Sequence, residues 1–103
     1  MKYPKLTNFI EGKTIKTNGR YLDIYAPQTG QIISQVPLSS SKELDQAVTA
    51  ARNALPEWAA LPIKERVQIF YRYRSLLEKY KVELSELVVE ENGKTMDEAI
   101  AEV

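Results

Sequence analysis

The 103-residue sequence predicts an α/β fold, α+β within the segment itself, with short N-terminal β-ribbons followed by antiparallel helices. Three observations predict it. Residues 1–38 break into short strand-like runs punctuated by Gly and Pro. From Ser39 onward apolar residues recur at helical spacing. Two capping boxes, Ser40-x-x-Glu43 and Thr95-x-x-Glu98, mark helix starts only in that second part. The chain therefore divides into a β-hairpin and strand region, 1–38, and a helical region, 39–103.

Each element follows from local chemistry. Phe9-Ile10-Glu11-Gly12-Lys13 reads as a short strand leading into a turn, and Thr17-Asn18-Gly19-Arg20 as a hairpin turn of the Asn-Gly kind. Tyr21–Tyr25 alternates like a half-buried strand. Ala26-Pro27-Gln28-Thr29-Gly30 turns the chain, with proline fixing one corner and glycine tolerating positive φ at the other. Gln31–Val36 is the last strand, closed by Pro37. Ribbons this small are not stable alone and need a surface to rest on. The first helix places Leu44, Ala47, Val48, Ala51 and Leu55 on one face and is expected to end at Pro56, leaving Trp58 in the connection. A second helix starts at Pro62 and runs to about Tyr80. Its apolar residues, including Ile63, Val67, Phe70, Tyr73 and Leu77, cover more than one stripe, so it wants partners on two sides. A third helix spans roughly Val82–Glu91 and presents Leu84, Leu87 and Val88. Asn92-Gly93 ends it and Thr95 opens a fourth. Four short elements cannot easily hide this much apolar helix surface.

Composition narrows the function. Hydrophobic residues at 44% supply a core, which excludes a disordered tail. Fourteen basic and fourteen acidic residues cancel, so no global field attracts nucleic acid or anionic lipid. The balance is uneven: the last 22 residues carry seven acids against Lys94, a net −6, and everything upstream carries +6. Packing between segments would use that asymmetry, and solvated helix faces explain it more simply. With no cysteine and no histidine, disulfides, thiolate nucleophiles, imidazole bases and most zinc-ligand sets are excluded. No apolar run approaches the ~20 residues of a membrane span, and no apolar stretch follows Met1-Lys2-Tyr3-Pro4-Lys5-Leu6 as a secretory signal requires. A soluble, cytoplasmic protein is expected.

Four motifs invite a functional reading. Gly93-Lys94-Thr95 matches the end of a phosphate-binding loop, but the first glycine of that loop would fall at Val88, and a helix rather than a strand precedes it. Glu90-Glu91 pairs two carboxylates, yet adjacent helix residues point ~100° apart and do not converge on one atom. Arg66, Arg72, Arg74, Lys79 and Lys81, interleaved with Tyr71, Tyr73 and Tyr80, could form a stacking nucleic-acid surface. Glu65 and Glu78 dilute it, and an amphipathic helix explains it equally well. Trp58 suits a packing wedge between two helices better than a binding site. Catalytic, cofactor-binding and metal-ligating residues are therefore expected to be none within this segment.

Taken in order, the pieces resemble the aldehyde dehydrogenase family. Asn8-Phe9-Ile10-Glu11-Gly12-Lys13 is similar to that family's opening F-I-N-G-E/K strand. Tyr25-Ala26-Pro27-Gln28-Thr29-Gly30 resembles its N-P-A-T-G turn, with Ala26 in place of asparagine, and Ile33–Pro37 its following strand. Ala47, Val48, Ala50 and Ala51 through Pro56-Glu57-Trp58 resemble the A-V-x-A-A-x-x-A-F-x-x-W helix. Arg66–Leu77 is similar to R-x-x-x-L-x-x-x-x-x-L, and Glu91-Asn92-Gly93-Lys94-Thr95 to E-x-G-K-[TP]. Each motif alone is weak, while the ordered set is strong and covers nearly everything from Asn8 onward. Tyr71–Leu77 and Glu91–Val103 look most like the CoA-acylating methylmalonate-semialdehyde dehydrogenases.

The resemblance implies a parent enzyme that oxidises an aldehyde on NAD. A cysteine thiolate attacks the carbonyl, hydride passes to nicotinamide, and the thioester passes to coenzyme A. It also implies a homo-oligomer with an aldehyde substrate and neither nucleic acid nor membrane as partner. In the family those catalytic and cofactor-binding residues lie downstream of the matched region, so none transfers to this sequence. What transfers is scaffold, the front of a truncated NAD-binding domain that alone binds neither NAD nor coenzyme A and is inactive. The alternative is a stand-alone helical protein-interaction module that uses its surplus apolar surface.

Overall fold

The computed structural model describes residues 1–103, in the order β1 (Asn8–Ile10), β2 (Lys13–Ile15), β3 (Tyr21–Tyr25), β4 (Ile32–Pro37), α1 (Ser41–Ala60), α2 (Ile63–Lys79), α3 (Lys81–Asn92) and α4 (Met96–Glu102). Two two-stranded antiparallel ribbons, β1–β2 and β3–β4, precede four helices, as the sequence predicts. The protein forms two compact units, one of residues 1–24 and 32–60, the other of 25–31 and 61–103.

In the first unit the tight hairpin turn is Glu11-Gly12, not Asn18-Gly19. Both residues have positive φ, 54° and 72°, which matches the strand twist in a two-residue connection. This brings Asn8 opposite Ile15 and Ile10 opposite Lys13, so β2 is a strand where the sequence suggested only a turn. Asn18-Gly19 lies in the link to β3, and Gly19 is not left-handed. The N-terminal residues run alongside β4: Tyr3 N–H donates to Ile33 O (2.9 Å), Leu6 N–H to Gln35 O (2.8 Å), and the buried Ser34 hydroxyl to Pro4 O (2.7 Å). Ile10, Ile33 and Ser34 are this unit's buried residues. The alternation expected over Tyr21–Tyr25 is incomplete, because Leu22 and Asp23 are both exposed. A two-stranded ribbon has little sheet face to bury.

Helix α1 starts where the capping box places it. The Ser40 N–H donates to Glu43 Oε2 (2.8 Å), the Ser40 hydroxyl also bonds that oxygen, and Lys42 N–H donates to Ser40 Oγ (3.2 Å). The helix does not end at Pro56. It runs through to Ala60, which puts Trp58 in its last turn rather than between two helices. Proline removes one donor and crowds the preceding turn, but this close to a helix end the remaining bonds carry the backbone past it.

In the second unit, α2 and α3 meet at Tyr80 (φ −102°, ψ 15°), whose N–H still donates to Leu76 O (3.0 Å) while its carbonyl accepts from Leu84 N–H (2.9 Å). The helices are thus joined with almost no loop. Packed against each other, α3 and α4 each contribute one fully buried small residue, Ser85 and Ala99. The Ser85 hydroxyl donates to Lys81 O (2.7 Å), so the buried polar group is satisfied. By contrast α1 and α2 bury no residue fully. Large apolar side chains stay outside, among them Phe9 at 74% exposed and Ile63 at 70%.

Candidate functional site

The second unit brings together two of the motif segments, the 26–30 turn and the 91–98 helix junction. The turn closes through Ala26 N–H to Gln31 O (2.9 Å) and Gly30 N–H to Ala26 O (2.8 Å), with Gly30 at φ 68°. At the junction Gly93 caps α3 in the left-handed region (φ 69°, ψ 21°), donating its N–H to Val89 O (2.9 Å). Only Gly93, not Asn92, is left-handed, and Asn92 Nδ2 donates back to Val88 O (3.3 Å). A Cβ built on Gly93 would sit 3.2 Å from Pro27 Cγ. The glycine therefore answers two demands, a backbone conformation and a close approach. Sequence reading anticipated the first. The second depends on a contact between residues 66 apart in sequence, which has no local signal.

Two residues on, the Thr95 capping box forms as predicted. Thr95 N–H donates to Glu98 Oε2 (3.0 Å), its hydroxyl bonds the same oxygen (2.9 Å), and Glu98 N–H donates to Thr95 Oγ1 (3.3 Å). Hydrogen bonds from the Thr95 backbone and then its hydroxyl hold the Glu98 carboxyl below the usual carboxylate range. At α1, the Ser40 hydroxyl and then its backbone N–H lower Glu43 in the same way. Lys94 pairs with Glu102.

These bonds decide the phosphate-loop question. A phosphate cradle needs several backbone N–H groups and a lysine directed at one anion. Here the Gly93 and Thr95 N–H groups serve capping acceptors and the lysine serves a carboxylate. The residues present do not fit a nucleotide's phosphates, and with no cysteine they offer no thiolate. No cluster of three acidic, histidine or cysteine side chains suits a metal ion. No helix is long and apolar enough to cross a membrane.

The other motifs are dispersed. Glu91 lines an apolar groove with Tyr73, Leu77, Leu84, Leu87 and Val88, and Glu90 is not among its lining residues. The basic, tyrosine-rich stretch is split over several faces. Tyr71, Arg72 and Lys79 share one with Leu76, Tyr73 turns to the groove, and Arg74 pairs with Glu78 (3.2 Å). Tyr80 forms the α2–α3 joint. A continuous stacking surface is not assembled.

Comparison with known proteins places the chain in a family. The model of the aldehyde dehydrogenase family matches residues 14–103. Malonate-semialdehyde dehydrogenase of Pseudomonas aeruginosa is 41% identical over 98 residues, covering 95% of this chain and 20% of its own length. A protein assigned as a methylmalonate-semialdehyde dehydrogenase from Sinorhizobium meliloti 1021, solved in complex with NAD, superposes with a TM-score of 0.92 at 38% identity. That match covers all of this chain and 21% of the other. Lactaldehyde dehydrogenase of Escherichia coli superposes at 0.93 with 31% identity, over 96% of this chain and 21% of its own. The chain spans about a fifth of the length of the curated relatives it matches. It belongs to the aldehyde dehydrogenase family.

Proposed function

We propose that this chain serves as the front scaffold of an NAD-dependent aldehyde dehydrogenase acting on malonate or methylmalonate semialdehyde, with coenzyme A as acyl acceptor. The β region 1–38 and the helical region 39–103 together form the leading part of its NAD-binding domain. In the same reading the whole enzyme is a cytoplasmic homo-oligomer. The observation that carries the proposal is the 41% identity to a malonate-semialdehyde dehydrogenase over 95% of the chain. The NAD-bound relative at a TM-score of 0.92 supports the cofactor. The groups within the 103 residues supply positioning only: the Thr95–Glu98 and Ser40–Glu43 boxes fix helix starts, and Gly93 lets the 26–30 turn approach the junction. Thiolate chemistry needs a cysteine that this segment does not contain.

Two assays test this. The purified 103-residue chain, given malonate semialdehyde, NAD and coenzyme A, forms no NADH, and NADH formation would overturn the scaffold role. A chimera in which this chain replaces the matched fifth of the P. aeruginosa enzyme yields an acyl-CoA product by chromatography. A free acid alone would contradict the acceptor.

The exposed Phe9, Ile63, Phe70 and Leu76 also favour a second reading, a stand-alone module that binds a partner through these faces. A monomer with a single cooperative unfolding transition at all concentrations would favour that module over the scaffold.

A further inference from the structure

Two Asn-Gly dipeptides occur in this protein, Asn18-Gly19 and Asn92-Gly93. The fold treats them in opposite ways. Asn18 and Gly19 are both exposed and lie outside any strand or helix. The Gly19 N–H donates to no backbone acceptor, and the Asn18 carboxamide makes no hydrogen bond. At the other site Asn92 is the last residue of α3. Its carboxamide is held on Val88 O (3.3 Å), and the Gly93 N–H is committed to Val89 O (2.9 Å). A Cβ on Gly93 would come within 3.2 Å of Pro27 Cγ, whereas a Cβ on Gly19 would meet only ordinary contacts at 3.5 Å from Leu38 O and Thr17 Cγ2.

We propose that Asn18 is a site of spontaneous, backbone-directed deamidation, and that the α3 cap holds Asn92 inert. The Gly19 backbone nitrogen attacks the carboxamide carbon of Asn18. A new C–N bond forms, the original carboxamide C–N bond breaks, and ammonia leaves with the displaced amide proton, closing a succinimide. Water then adds to either imide carbonyl, and ring opening gives aspartate or isoaspartate. Water is the only co-reactant and no electrons change hands. The reaction needs an accessible backbone nitrogen and a carboxamide able to reach it, the two properties that distinguish the sites. Glycine after asparagine leaves the nitrogen unshielded, which makes exposed Asn-Gly the reactive pair.

The product alters the segment that leads into β3. A new carboxylate appears between Lys16 and Arg20. The isoaspartate route also adds one carbon to the backbone two residues before Arg20, whose carbonyl accepts from Leu38 N–H (2.9 Å). The modification is thus a one-way chemical timer placed at the entry to the second ribbon. Its product is a substrate for enzymes that methylate the free α-carboxyl of isoaspartate.

The test ages the full 103-residue protein in mildly alkaline buffer at constant temperature and maps tryptic peptides by mass. Peptide 17–20 carries Asn18 and peptide 82–94 carries Asn92. Amide-to-acid conversion, with isoaspartate identified by methyltransferase labelling, should accumulate in 17–20. Conversion in 82–94 should be at least about tenfold slower, the ratio reporting the cost of opening the helix end. In concentrated urea the two rates should converge. Gly19→Ala, which the local space accepts, should slow conversion at Asn18 while leaving the circular dichroism spectrum unchanged. Equal rates in native buffer, or no conversion at Asn18, would overturn the proposal.

Discussion

Gly93 shows how much one position can carry. Its left-handed backbone disfavours any Cβ, and Pro27 occupies the space a Cβ would need. Gly93→Ala should destabilise the second unit by about 1–2 kcal/mol, read as a lowered denaturant midpoint. The capping residues are a second test at this scale. Thr95→Ala removes the side-chain acceptor of the Glu98 N–H and should cost about 1 kcal/mol of α4 stability by the same measurement. Glu43 and Glu98 both have folded-state pKa values shifted below those of the unfolded state. Their stabilisation is therefore complete above the ordinary glutamate range and is lost as the pH falls through the depressed folded values. Far-UV circular dichroism should show helix loss in that acid window, and Glu98→Gln should diminish it. The two boxes were legible because each needs only four adjacent residues.

At the scale of elements, legibility followed the same locality. The four helices, the Ala26–Gly30 turn and the strands on either side of it could be read from periodicity and turn chemistry. The first hairpin could not, because Asn18-Gly19 carries the stronger turn preference while Glu11-Gly12 makes the turn. Glu11 accepts a positive φ that a non-glycine residue rarely adopts, and the pairing of Asn8 with Ile15 secures it. Pro56 misled for a related reason. Its intrinsic cost argues for a helix end, yet α1 continues for another turn. Pro56→Ala should restore a donor to that turn and raise helix stability by about 1–3 kcal/mol, visible as increased helicity and a higher melting temperature.

Across the whole molecule, the sequence already indicated more apolar helix surface than four elements could cover, and the burial pattern agrees. Only four hydrophobic residues, Ile10, Ala26, Ile33 and Ala99, are buried. Such a protein on its own should self-associate, with an apparent mass that rises with concentration in equilibrium sedimentation. That these residues hold no thiolate or imidazole was legible for an equally simple reason, since no cysteine or histidine is present. What could not be read was which donors the Gly93-Lys94-Thr95 stretch had left to offer. That depended on the pairing of Lys94 with Glu102 and of Thr95 with Glu98. If these residues serve as scaffold for an aldehyde dehydrogenase, as we propose, the decisive experiment is the steady-state oxidation of malonate semialdehyde by the P. aeruginosa enzyme with its matched fifth replaced by this segment. Retention of NAD-linked kcat/KM within about tenfold of the parent, a change of roughly 1.4 kcal/mol, is the predicted result. A chimera that folds and assembles like the parent yet reduces no NAD would contradict it.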